Sequence, residues 1–361
     1  MTGTLSLRSF SLWVAVAACV FGAVSLGLNY FDAVRVFPAA TVLAAGLLVP
    51  TLVFGYALAR RVRPVRPPPG PPSVACVVWG MTAATGCAVI ANTGLGAIWA
   101  RTQGVEFADD WSAALTAPWN EETLKLCGVV MLTFVASRAM RGPVDGWVYG
   151  ALVGLGFQAT ENLMYALNNI LLQGATTPGS SVVGSFVVRV LLTGWGSHWA
   201  MTAVAGTGIG FLVARDGTPL ARRVGIAAAF WVLAMAMHWQ FNAPILGFPG
   251  GIVVKVAVNL VVALAVLRAV RRRYRERLRE VAREEAAYDA VRPSEAATLL
   301  GRRSRVRARR IARTPGVRAR IADVQERQLD LLEARVPTAD PDGPAASAEF
   351  RTEVAAARGR L

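Results

Sequence analysis

The residues able to do chemistry in this chain are few and set in apolar surroundings. Asn120 to Lys125 reads NEETLK, so two adjacent carboxylates, Glu121 and Glu122, precede one lysine by four and three positions. On a helix that spacing lets Lys125 partner either acid. Glu161 follows in FQATEN (Phe157 to Asn162), His198 in GSHWA (Gly196 to Ala200), and His238 in HWQFN, one helical turn before Asn242. The chain has only these two histidines. One carboxylate and two imidazoles form a sound divalent-metal set, and zinc held this way keeps a fourth position for water. A remaining glutamate could take the proton as that water attacks an amide. His238 could instead donate, with Asn242, to a developing oxyanion. Spacing alone leaves both roles open.

The elements that must carry these residues are membrane helices. Of 361 residues, 54% are hydrophobic and 17% charged, and the mean hydropathy is +0.43. That is too little charge, too segregated, for a soluble domain. Apolar blocks run from Ser11 to Leu28, Pro38 to Ala59, Val74 to Ala100, Leu124 to Ser137, Val144 to Leu172, Val182 to Ala214, Val224 to Asn242 and Ile252 to Leu267. A crossing needs roughly 20 residues. The fourth block reaches that length only by starting near Trp119 or before, which takes in Glu121 and Glu122. The first block reads as a span, because no clear small-residue cleavage site follows it. The expectation is an all-α, polytopic membrane helix bundle of about eight transmembrane helices. Arginine-rich segments follow the second, fourth, sixth and eighth blocks, while RTQGVEFADDW and QGATTPGS face the other side. The positive-inside rule then puts both termini on the cytoplasmic side of the plasma membrane.

Composition divides the chain into two N-terminal spans with a basic linker (1–72), a membrane core (73–267) and a cytoplasmic, Arg-rich tail (268–361). In the tail, ERLREVAREEAAYDAV and VRARIADVQERQLDLLEARV carry narrow apolar stripes suited to helices, whereas PTADPDGPAASAEF reads as a disordered end. The net charge of +15 comes largely from this tail and the juxtamembrane loops, and anionic lipid is the expected partner. Nucleic acid is disfavoured, since no reading element accompanies RRSRVRARRIARTPGVRAR. Cys19, Cys76, Cys87 and Cys127 lie in apolar blocks without metal or redox spacing and read as small buried side chains.

Ionisable groups within spans are costly and mark a site by default. Here they are Glu121, Glu122, Lys125, Glu161, Arg189, His198 and His238. A simpler reading makes Asn120 an N-cap after Pro118, with both acids in the first turn of a helix. Glu161 has no local partner, its nearest charged residues along the chain being Asp145 and Arg189. Gly154, Gly150 and Gly146 recur behind it at four-residue steps, a ridge that permits close helix packing. A non-catalytic scaffold or sensor could use the same bundle, as could a proton- or ion-coupled transporter with Glu161 as relay. A transporter predicts internally repeated broken helices, and no such repeat is evident.

Taken in order, APWNEETLK (Ala117 to Lys125), FQATEN, GSHWA and HWQFN resemble the PrsW family of intramembrane proteases. That family sits in a wider group with the CAAX prenyl proteases and bacteriocin-processing enzymes. The resemblance covers roughly Ala113 to Asn242. It implies an intramembrane endopeptidase, commonly called a metalloprotease, acting on membrane-associated proteins; one branch cleaves an anti-sigma factor. The family's paired-glutamate motif falls on Glu121 and Glu122 with its basic residue on Lys125. Its Phe-x-x-x-Glu motif falls on Phe157 and Glu161, and its histidine motifs on His198 and on His238 with Asn242. On this reading Glu121 or Glu122 activates water, while Glu161, His198 and His238 bind zinc or polarise the carbonyl. A water activated by Glu and His, with a His/Asn oxyanion hole, is the metal-free alternative.

Overall fold

A computed structural model describes residues 9–214, 216–247, 250–336 and 347–361. These residues form helices and connections, with no strand among them. Every apolar block is helical, and five helices are long and apolar enough to cross a membrane: α1 (Phe10–Val36), α2 (Pro38–Arg61), α3 (Gly70–Gln103), α8 (Leu220–Asn242) and α9 (Gly251–Tyr288). Between them lie α4 (Val105–Val135), α5 (Pro143–Leu172), α6 (Pro178–Leu192) and α7 (His198–Val213). Gly104 alone joins α3 to α4, at φ +95°, a conformation that side-chain-bearing residues rarely adopt.

Two expectations need correction. The fourth helix starts at Val105, well before Trp119, and runs through Pro118. Proline removes one rung of the hydrogen-bond ladder but does not end this helix, so Asn120 is not an N-cap and NEETLK lies in a helix interior. The sixth block, expected as one span, is broken into α6 and α7. The last turn of α6 (Val187–Leu192) is widened, and a short tight turn at Gly194–Gly196 precedes His198.

At the centre stands α5, buried on every side from Val144 to Gln158. A helix that is apolar all round belongs inside a bundle. Its glycine ridge meets α7 in an antiparallel crossing. A Cβ on Gly146, Gly150 or Gly154 would come within 2.2, 2.2 and 2.4 Å of the carbonyl oxygens of Gly206, Thr202 and His198. Only bare backbone allows that approach, and it brings the start of α7, with His198, against α5.

Beyond the membrane part, α9 continues past the composition boundary at Arg268 as one helix. It is followed by α10 (Pro293–Leu300), α11 (Arg302–Ile311), α12 (Pro315–Arg335) and α13 (Ala348–Arg358). Leu278, Val281, Val291, Leu299, Leu329 and Leu332 close a small core of their own. Part of the segment expected to be disordered is therefore helical from Ala348, its Val354 packed with Leu331 and Ala290; residues 337–346 lie outside the described residues. The tail folds back onto the bundle through Glu333. This buried carboxylate accepts from Arg63 (2.8 Å), Arg66 (2.8 Å) and Arg141 (2.8 Å), while Arg63 also reaches Asp145 at 2.6 Å in the first turn of α5.

Two predictions follow from this packing. Gly154→Ala must push α7 off α5, and is expected to cost about 1–3 kcal/mol, read as a lower melting temperature in detergent. Gly46→Ala, with open space around its Cβ, serves as the unaffected comparison. For the tail, burial alone would raise the Glu333 carboxyl, but Arg63, Arg141 and Arg66 outweigh it and hold the group at about 2. The folded value lies below the ordinary ~4.3, so this stabilisation is complete above that pH and is lost as the pH falls toward 2. Hydrogen-exchange protection of α12 should decline across that window. Glu333→Gln should lack that step and lose protection already at neutral pH, by about 3–5 kcal/mol.

Candidate active site

Five helices bring their ionisable residues to one level. α4 supplies Glu121, Glu122 and Lys125, all buried, the last two completely. One turn of α4 places the ammonium beside both acids: Lys125 Nζ donates to Glu122 Oε1 at 2.7 Å and to Glu121 Oε2 at 3.4 Å. It also lies 3.0 Å from Nδ1 of His198, the first residue of α7. A lysine ammonium only donates, so Nδ1 accepts and the imidazole proton sits on Nε2. That nitrogen faces Glu161 Oε2 of α5 at 2.8 Å. His238 of α8 turns the other way. Its Nδ1 donates to Glu122 Oε1 at 2.9 Å, which leaves the lone pair on Nε2.

Both of these unprotonated nitrogens lie near Glu121, that of His198 while accepting from Lys125. Its Oε2 lies 3.7 Å from His198 Nδ1 and 3.8 Å from His238 Nε2. The three donor atoms of Glu121, His198 and His238 fall within 4.8 Å of one another. The metal set expected from sequence named Glu161 in place of Glu121. The structure puts Glu161 behind His198, on the ring nitrogen that faces away from Glu121. Each imidazole thus has a carboxylate on its outer nitrogen, an arrangement that fixes tautomer and orientation in metal sites. By residue type, two imidazoles and a carboxylate, the set fits a divalent cation. The Lys125 ammonium stands beside it, 3.0 Å from His198 Nδ1 and 3.4 Å from Glu121 Oε2, and a bound ion would take over those two contacts. With neutral imidazoles, three carboxylates face Lys125 and Arg189, leaving the cluster one negative charge in excess.

Arg189 is the partner that local sequence did not reveal for Glu161. From the widened turn of α6 it pairs with Glu161 through Nη2, donates through Nε to Asn162 Oδ1 at 2.9 Å, and stacks on Tyr165 at 3.7 Å. Reasoning from chain neighbours had left Glu161 alone, because the pair is made between helices. Two further residues escaped the sequence reading. Asn92 of α3 donates to Glu121 Oε1 at 2.9 Å, and Thr202 of α7 donates to Glu122 Oε2 at 3.2 Å. Uncharged polar residues in spans carry little signal, although Asn92 is the one amide within the third block. Phe157, one turn before Glu161, packs its ring 5.0 Å from that of His198 and 4.2 Å from Lys125 Nζ. Asn242, expected to work beside His238, ends α8 and donates to the carbonyl of Ala113 at 3.3 Å; no bond from it to the cluster is present among the described residues.

The oxygens of the two adjacent glutamates are unequally committed. Glu122 spends Oε1 on Lys125 and His238 and Oε2 on Thr202. Glu121 Oε1 is held by Asn92, while Oε2 has only the long lysine contact and faces both imidazole lone pairs. Of the two adjacent glutamates, the less committed oxygen is therefore Glu121 Oε2.

Comparison with curated proteins gives no match, and neither does comparison with solved structures. Residues 68–270, more than half of the chain and all of the buried cluster, match the PrsW family intramembrane metalloprotease, and the chain belongs to that family.

Proposed function

We propose that this chain hydrolyses peptide bonds of membrane-embedded or membrane-anchored proteins, with Glu121, His198 and His238 as its working centre. The observation that carries the reading is the convergence of Glu121 Oε2, His198 Nδ1 and His238 Nε2, each an acceptor whose orientation another residue holds. Glu161 and Glu122 keep the imidazoles in place by their outer nitrogens. Water donating to Glu121 Oε2 and His238 Nε2 gives one proton to Glu121 as its oxygen attacks the carbonyl carbon, and when the C–N bond breaks that proton passes to the leaving amine. Lys125 offsets the resting negative charge of the two adjacent glutamates. Zinc, when bound by Glu121, His198 and His238, would supply a Lewis acid and lower the pKa of its water to about 7.

Glu161 and His238 each lie about 27 Å along their helices from the end where α5 and α8 begin, at 1.5 Å per residue. That end carries the tail. Against a hydrocarbon core of about 30 Å, cleavage falls toward the opposite face. The arginines of the α2–α3 and α4–α5 loops meet Glu333 at the tail end, which supports a cytoplasmic location for that end and for both termini.

For the basic tail we propose anionic lipid as the partner. Eight other tail arginines among the described residues face an acid, as in Arg277 with Glu284, Arg327 with Glu353 and Arg358 with Glu295. Arg302, Arg303, Arg307 and Arg310 of α11 are exposed and have no acid partner among the described residues. Arg305 donates to the carbonyl of Val65 at 2.6 Å, which holds α11 beside the membrane-proximal α2–α3 loop.

Glu121→Ala and His198→Ala are expected to lower cleavage of a co-expressed membrane-anchored reporter by about 100-fold or more. Unchanged cleavage would remove the proteolytic assignment. Zinc retained by the purified wild-type chain should be lost from His238→Ala; a wild-type chain that retains none and still cleaves is working without metal. In nanodiscs, α11 should gain hydrogen-exchange protection when phosphatidylglycerol replaces phosphatidylcholine, and Arg302→Gln with Arg307→Gln should abolish the gain.

A further inference from the structure

α9 carries no member of the buried cluster, yet it touches both backbone segments that present the histidines. We propose that Asn259 of α9 is a positioning residue that fixes His198 and His238 relative to each other.

The side chain is fully buried and both of its polar atoms are hydrogen-bonded. Asn259 Nδ2 donates to the carbonyl of Gly196 at 3.0 Å and to the carbonyl of Met237 at 3.3 Å. The first carbonyl lies two residues before His198, in the interruption between α6 and α7. The second belongs to the residue directly before His238. One amide group therefore spans the two strands of backbone whose side chains must hold a 5.2 Å ring separation. The amide itself cannot turn over. Its Oδ1 accepts from Gln240 Nε2 at 2.8 Å, and Gln240 also donates to the carbonyl of Lys255 at 3.2 Å.

The surroundings leave little slack. A Cβ on Gly196 would stand 2.1 Å from the carbonyl oxygen of Val256, so the interruption rests directly on α9. Lys255, one turn before Asn259, donates to the carbonyl of Ala243 at 2.6 Å and so ties down the end of α8. Irregular backbone at membrane depth persists only where the protein satisfies its polar groups. Asn259 satisfies one such group at Gly196 and uses the same atom to hold His238.

The test uses the chain's composition. Because His198 and His238 are its only histidines, histidine-selective 15N labelling of the full chain, purified without a polyhistidine tag, reports on these two rings alone. Asn259→Leu keeps the size and removes both donated bonds; both imidazole signals are expected to move, while Ile311→Ala on the exposed face of α11 moves neither. This arm needs no substrate. The role in turnover rests on the proteolytic reading, and there Asn259→Leu should lower kcat on a membrane-anchored reporter by about 10- to 100-fold with little change in KM. Asn259→Asp, which when protonated keeps one donor, should fall between wild type and Asn259→Leu. A packing role predicts the reverse order, because leucine is the better guest in an apolar site. Unmoved imidazole signals, or Asn259→Leu turning over like wild type, would overturn the proposal. If Asn259→Leu does not fold, Gln240→Leu frees the same amide, and the two signals must then move for the proposal to stand. A wild-type chain that cleaves no reporter removes the proteolytic reading and leaves the spectroscopic arm to decide this one.

Discussion

Three carboxylates placed inside an apolar bundle must find their counter-charges within the bundle, and most of the architecture answers that demand. An ionised group taken out of water costs several kcal/mol unless opposite charge and hydrogen bonds surround it. Glu122 is met by Lys125, His238 and Thr202, Glu161 by Arg189 and His198, and Glu121 by Asn92 and Lys125. These partners come from α3, α4, α6, α7 and α8. These helices and α5 must therefore meet at one level, and a slip of one turn, about 5.4 Å, would strand a charge in hydrocarbon. Such a network is weak evidence for added stability, but it is strong evidence for register.

Side-chain chemistry alone could not bring the helices that close. α7 approaches α5 over Gly146, Gly150 and Gly154, where any Cβ would strike the facing backbone. The same device recurs at Gly128, whose bare Cα admits the Trp79 ring, and Trp79 Nε1 then donates to the carbonyl of Leu124 at 2.9 Å. Glycines set the distances, and the charged cluster sets the level. A working centre built this way sits on rigid helices and not on loops, and only the interruption at Gly194–Gly196 departs from that pattern.

Much of this was legible in the sequence because the background is so apolar. Charged residues and histidines stand out in spans, and their order carries the family resemblance; the glycine ridge on α5 was visible for the same reason. What stayed hidden depended on contacts between distant segments. The full extent of α4 is hard to read because Glu106, Asp109 and Asp110 look like a polar loop and Pro118 like a helix start, whereas burial of Ala108, Ala114 and Ala117 keeps the helix continuous. Arg189 and Glu161 are 28 positions apart, so neighbour counting along the chain could not pair them. That Glu121, and not Glu161, lies beside the inner nitrogens of both imidazoles reflects ring orientation, which residue spacing does not encode. Glu333 looks like any other tail acid until three arginines from two loops close around it.

The Phe-x-x-x-Glu spacing on α5 gains a physical meaning from the structure. Phe157 and Glu161 are one helical turn apart, so both side chains project from the same face of α5. That face meets His198. Phe157 packs against the ring at 5.0 Å, and Glu161 takes the proton on Nε2 at 2.8 Å. One turn of helix thus supplies both the packing surface and the hydrogen-bond acceptor for a single imidazole. Phe157 also lies under the Lys125 ammonium at 4.2 Å, a contact attractive in its own right, and so holds that cation between the acids and His198 Nδ1. A smaller apolar residue at this position would leave Lys125 free to follow either acid. A longer spacing would put the carboxylate out of reach of the ring it orients. The four-residue interval is what a helix needs to aim one histidine from two sides.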